Sequence, residues 1–338
     1  MDLADFALHR WTRRSVLALG GLALAGCTGG GDGATRPAGA SFGIVDWVGY
    51  TPLYIAREKG YLPEAFNVRN FPSPGQGTLA FAGGKLEGGA EVTAGAVDVR
   101  AKGKDLRVVM VVDRSVGGDG ILARHSIRDL ADLKGRKVAL ELGSVSHFFF
   151  LQAIAGAGLS GQDLTIINTP PDAAGAAYRS GQVEAAVTYA PYLGSANRAQ
   201  ADGRILFDSA RLPDAISDLY VFDTRFVQAH PEVVQGFVDA VLKGLADLQA
   251  DPQAGYALTA RLLKITPAAV EDYLGGLQLA DLALNLDMLT NPNSKSYLPN
   301  ALQSLARFLK DQGQIPAVPE LTDVVDPRFV LAARATQR

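Results

Sequence analysis

Val112-Asp113-Arg114-Ser115-Val116-Gly117-Gly118-Asp119-Gly120-Ile121 reads as the end of a strand followed by a glycine-rich crossing. An apolar run that dissolves into Gly-Gly-Asp-Gly predicts a point where the chain leaves one sheet for another. Both flanks support this. Gly60 ends a helix before an extended run centred on Val68 that closes with Asn70 and Pro72. Ninety-eight residues later, Gly158 ends a helix before a run centred on Ile166 that closes with Asn168 and Pro170. Gly84-Lys85-Leu86-Glu87 precedes a strand ending in Val92-Thr93, and Gly181-Gln182-Val183-Glu184 precedes one ending in Val187-Thr188. Similarity at a near-constant offset over about fifty residues predicts one α/β unit written twice, once on each side of the crossing.

Short β-rich runs at 42–45, 68–71, 90–93, 106–112, 137–140, 164–167, 185–188 and 205–207 alternate with helical stretches at 53–59, 78–83, 148–156 and 173–180. Such alternation predicts an α/β chain of mostly parallel sheets covered on both faces. The run 215–222 is the natural return strand, and the remainder is helical, beginning with a long amphipathic helix over 231–250. The expected division is a discontinuous first lobe, 41–116 with 220–338, and a second lobe over 117–219 with hinge segments at its ends.

The first forty residues read as an address. Arg10, Arg13 and Arg14 precede SVLALGGLALAG (15–26), an apolar stretch too short for the roughly 20 residues that span a bilayer. Leu24-Ala25-Gly26-Cys27 looks like a bacterial lipobox, with Cys27 as the lipidation site, and Thr12-Arg13-Arg14-Ser15-Val16-Leu17 resembles a twin-arginine signal, a plain Sec signal being the alternative. Residues 1–26 are therefore expected to be a signal peptide, and 27–40, small, polar and Gly-rich, a flexible tether. Two acyl chains and a tether would hold a soluble domain at a membrane surface.

Composition narrows the chemistry. With 32 Lys+Arg against 35 Asp+Glu there is no basic block, so nucleic acid is not an expected partner. Cys27 is the only cysteine, which rules out an intrachain disulfide, a cysteine zinc site and an iron–sulfur cluster. There is no G-x-S-x-G, no P-loop and no metal-ligand spacing. His125 and His230 stand at element boundaries, and His147 lacks a nucleophile partner in sequence. No catalytic residue, cofactor or metal is expected.

Ligands of open α/β sheets bind beyond the carboxyl ends of the strands. That rule selects the loops at 46–52, 71–78, 141–147 and 188–192. Trp47, Tyr50, Tyr189 and Tyr192 are candidate aromatic walls. Asp46, Asp119, Glu141 and Asp218, near strand ends or the hinge, could pair with an amine or amidine, or brace the hinge. Ser144, Ser146 and His147, with Gln76 from the earlier loop, complete the candidate ligand set. Ser73 and Thr78 read equally well as helix caps.

Taken in order, 47–52 (WVGYTP), 113–119 (DRSVGGD), 133–138 (LKGRKV), 141–148 (ELGSVSHF) and 186–192 (AVTYAPY) resemble the nitrate/sulfonate/taurine family of solute-binding proteins of ABC importers. The resemblance implies the type II periplasmic-binding-protein fold, two α/β lobes joined by a two-strand hinge. It further implies a small-molecule ligand delivered to permease and ATPase subunits, a monomer, and ligand contacts at Trp47, Tyr50, Asp119, Glu141, Ser144, Ser146, Tyr189 and Asp218. Ligands in this family range from nitrate and sulfonates to taurine and thiamine-type pyrimidine precursors. The fold group also includes fungal thiamine-pyrimidine synthases, so an enzyme of pyrimidine metabolism is the less favoured alternative; their cysteine-rich iron motif is absent from this chain. Residues 87–95 are richer in glycine than the family pattern.

Overall fold

The computed structural model describes residues 39–64, 66–212 and 214–336. The signal, Cys27 and nearly all of the tether lie outside the described residues.

Two sheets are built from eleven strands among the described residues. In chain order these are β1 (Ala40–Ile44), β2 (Phe66–Asn70), β3 (Gly88–Val92), β4 (Leu106–Ser115), β5 (Asp119–Arg124), β6 (Lys137–Leu140), β7 (Thr165–Asn168), β8 (Ala185–Tyr189), β9 (Gly203–Asp208), β10 (Ser217–Asp223) and β11 (Leu277–Leu279). The first sheet runs β11-β4-β10-β3-β1-β2 and the second β7-β6-β8-β5-β9.

The written-twice unit is visible in the register. Phe42 of β1 pairs with Val68 and Gly88; Val138 of β6 pairs with Ile166 and Ala185. Helices α1 (Thr51–Glu58), α2 (Pro74–Ala82) and α3 (Thr93–Ala101) follow the first three strands. In the second unit α4 (Val145–Ala155), α5 (Pro171–Ser180) and α6 (Tyr192–Ala199) take the same places. Leading prolines at α1, α2 and α5 suit a first turn, where a missing N–H costs nothing.

The expectation of mostly parallel sheets needs correction. The β1–β2, β1–β3, β6–β7 and β6–β8 ladders are parallel, but β10 runs antiparallel to β3 and β4, and β5 antiparallel to β8 and β9. The cause is the crossing. After β4 the chain leaves the first sheet and enters the second as β5; after β9 it returns as β10 to fill the gap between β3 and β4. Each sheet thus receives one strand from the far end of a crossover, and that strand arrives pointing the other way.

The two crossovers touch. Ser115 and Ser209 hydroxyls lie 2.7 Å apart, and Gly117 N–H donates to Ser209 Oγ at 2.8 Å. Gly117 holds a φ of 133°, which an L side chain rarely adopts, so glycine there follows from the turn. A helix over Pro231–Ala250 packs on α1 so closely that a Cβ on Gly244 would stand 2.1 Å from the Pro52 carbonyl oxygen. The core of the first sheet is aromatic, with Phe42, Tyr220, Phe222 and Phe237 fully buried against one another. Among the described residues no helix is long and apolar enough to cross a membrane.

Candidate ligand-binding site

A cavity lies between the sheets, at the carboxyl ends of the parallel strands. From the first sheet and its helices come Trp47, Tyr50, Thr78, Phe81, Glu91 and Asp218; from the second come Asp119, Ser144, Phe148 and Tyr189. Its space for water centres is about 50 Å³. At the roughly 10–15 Å³ one water needs by that measure, this suits a solute of a few heavy atoms.

Aromatic faces and carboxylates dominate the wall. Trp47 and Tyr189 meet edge to face, ring centroids 5.5 Å apart at 85°. Trp47 Nε1 donates to Asp113 Oδ2 at 3.0 Å, which fixes the indole. Asp113 faces Asp218 across the β4–β10 ladder, and the two carboxyls share a hydrogen bond, which requires a proton on one of them. Tyr50 OH donates to Asp218 Oδ1 at 2.9 Å. Burial, then the charge of Asp113, drives the Asp218 pKa well above the carboxylate range. From the second sheet Asp119 accepts from Ser115 Oγ at 2.7 Å, and on β3, beside β10, Glu91 accepts from Thr78 Oγ1 at 2.8 Å. Burial outweighs these bonds and raises Asp119 to about 7 and Glu91 to about 8.

The sequence candidates divide by position. Trp47, Tyr50, Asp119, Ser144, Tyr189 and Asp218 line the cavity. Glu141 does not; it reaches across the gap between the sheets, where its Oε1 accepts from Ser73 Oγ at 2.5 Å and the carboxylate accepts from Gly75 N–H. Burial raises its pKa. Tyr192 backs Tyr189, centroids 5.8 Å apart. Asp46 accepts from Asn70 Nδ2 at the mouth of its own loop. Gln76 is exposed on α2, because that helix starts at Pro74 and turns this residue outward. Ser146 and His147 are buried in the first turn of α4, which begins earlier than its apolar pattern indicated; neither lines the cavity. His147 Nδ1 accepts from Gly143 N–H, and burial lowers its pKa to about 4, so the ring is neutral at pH 7.

Neither Ser73 nor Thr78 caps its helix; their hydroxyls go to Glu141 and Glu91 instead. Glu91 and Asp113 were not singled out from the sequence. The available signal was a lone carboxylate inside an apolar strand, Gly89-Ala90-Glu91-Val92 and Val111-Val112-Asp113.

Residues 47–255 match the family described as NMT1/THI5 like. The chain belongs to that family. The motifs at Trp47, Glu141 and Tyr189 thus pointed to the right group. A curated relative, the taurine-binding periplasmic protein of Escherichia coli, is 25% identical over 272 residues, covering 78% of this chain and 82% of that protein. Among solved structures, the alkanesulfonate-binding protein SsuA from Xanthomonas axonopodis pv. citri bound to MOPS aligns with a TM-score of 0.72 at 23% identity, covering 87% of this chain and 100% of that one. The desulfurization enzyme DSZB aligns with a TM-score of 0.63 at 17% identity, over 90% of this chain and 100% of that one. These two likenesses concern the fold, which is that of the type II periplasmic binding proteins.

Proposed function

We propose that this chain is the solute-binding component of an ABC import system, working with permease and ATPase subunits at the extracytoplasmic face of a bacterial membrane. It captures a small polar organic solute, sulfonate- or taurine-like or amine-bearing, by closure of two lobes. The lobes are 41–116 with 220–338, and 117–219, turning about the paired crossovers. The observation that carries this reading is a cavity whose wall comes from both sheets, with Glu141 of one unit bonded to Ser73 of the other across the gap. A ligand seated there touches both halves, so it favours the closed arrangement by its differential contacts. The curated relatives point the same way, being named as binding proteins.

Calorimetry with the solute identified by native mass spectrometry tests the site. Trp47→Ala, through the cavity wall, and Glu141→Gln, through the bond to Ser73 that closes the gap, should each weaken binding about tenfold, equivalent to about 1.4 kcal/mol. Unchanged affinity in both variants would remove the site assignment, and turnover of the bound solute would favour an enzyme instead. Cys27→Ser should release the protein from the membrane fraction, and persistence there would contradict the lipid anchor.

A further inference from the structure

Taking the receptor reading as its basis, we propose that the solute is a small organic cation, an alkylammonium or amidinium group with several N–H donors, seated between the carboxylates of Glu91, Asp119 and Asp218. The rings of Trp47 and Tyr189 cover its carbon skeleton.

The ionisable groups on the wall are all acidic. Among the described residues the cavity lining holds these three carboxylates and no lysine, arginine or histidine. Each is more than nine-tenths buried. In each, one oxygen is held by a hydroxyl: Thr78 on Glu91 Oε2, Ser115 on Asp119 Oδ2, Tyr50 on Asp218 Oδ1. The hydroxyls hold Glu91 by Oε2 and Asp119 by Oδ2, and both residues line the cavity, which leaves the second oxygen of each to a ligand. Behind them Asp113 is fully buried, and its Oδ1 has no hydrogen-bond donor. Buried carboxylates without a counter-charge are costly, and a bound cation supplies both the charge and the missing donors.

An anion is poorly served by the same space. The start of α2, with its free N–H groups, would suit one. That position is filled by the chain's own Glu141, held by Ser73 Oγ and Gly75 N–H. At the start of α4 the Ser144 hydroxyl is turned back on the Glu141 carbonyl at 2.8 Å. A metal ion fits no better, since among the described residues no three carboxylate, imidazole or thiol groups converge as ligands. The acceptors are spread around the cavity, which matches a charge delocalised over several N–H groups. Aromatic faces beside them add cation–π attraction.

The test is calorimetry at pH 8 and low salt on the purified wild-type chain, with propylammonium, acetamidinium and ethanesulfonate as probes. The expected result is that at least one cation binds about tenfold or more tightly than ethanesulfonate, and that Asp119→Asn or Asp218→Asn weakens it about tenfold. Ethanesulfonate binding as tightly as both cations overturns the proposal, as does no cation binding below about 10 mM, or a cation affinity untouched in both variants. The wild-type ranking stands by itself if a variant fails to fold. Small-angle scattering separates this failure from that of the receptor reading. Ethanesulfonate binding with a fall in radius of gyration sinks only the cation, whereas no closure with any bound probe sinks the receptor.

Discussion

The two α/β units share a topology, and one buried position separates them chemically. In the register of the repeat, Glu91 on β3 corresponds to Thr188 on β8. Both reach for the helix that follows the preceding strand. Thr188 Oγ1 donates to the Pro171 carbonyl at the start of α5, a neutral bond that closes the strand against its helix. Glu91 Oε2 accepts a hydrogen bond from Thr78 Oγ1 of α2, and Glu91 lines the cavity wall. One place is a clasp, the other a clasp that also holds a titratable group. The difference teaches that the same place in the fold can be closed by a neutral hydroxyl, so the fold itself does not require a carboxyl at Glu91.

The largest expected effect comes from moving the charge. Thr188→Glu puts a carboxylate where no cavity and no cation await it, and should destabilise the protein by about 3–5 kcal/mol at pH 8. Denaturant melts would read this directly. Glu91→Thr, the reverse exchange, should cost little by the same measurement. Equal penalties in the two variants would break the comparison.

A smaller effect sharpens it. Asp119 and Glu91 hold their protons up to about 7 and 8, whereas unfolded carboxyls release theirs near 4. Between those values the folded chain binds more protons than the unfolded one, so ligand-free stability falls as pH rises. His147, lowered to about 4, acts in the opposite sense, but only below the unfolded imidazole value near 6.5. From pH 6.5 to 8 the carboxyls act alone, and each still protonated contributes a slope of up to about 1.4 kcal/mol per pH unit. The thermal midpoint should therefore drop over that window, and Glu91→Gln should flatten the drop. A flat wild-type profile would mean the carboxylates are already neutralised.

Much of the scaffold is legible in the sequence, because it is local. Asn70 and Asn168, which mark the ends of the repeated strands in sequence, bond to the loops after β1 and β6, one to the Asp46 side chain and the other to the Leu142 N–H. The crossing is legible because four residues of Gly-Gly-Asp-Gly leave few alternatives. The site is harder to read. Whether Glu91 or Asp113 faces a cavity depends on the parity of strands that meet only through β10, and the β4–β10 register slips after Asp218 and after Tyr220. Helix starts were the other source of error. α2 and α4 begin four and three residues before their apolar patterns do, at Pro74 and Val145, and that shift turns Gln76 to solvent and buries Ser146 and His147. β11, three residues long, pairs with β4 through no local signal at all.

The exchange of strands also sets an order of assembly. The five strands of the second sheet are consecutive in the chain, so that sheet can close as soon as β9 has been made. The first sheet cannot. When β4 is complete, the slot beside β3 stands open, and the strand that fills it is written only after the whole second sheet. Pairing Asp113 with Asp218 closes a loop that contains the other lobe entire, a costly non-local step. The carboxyl pair at the back of the cavity therefore depends on chain written after the whole second sheet, so the cavity cannot be complete until β10 is in place.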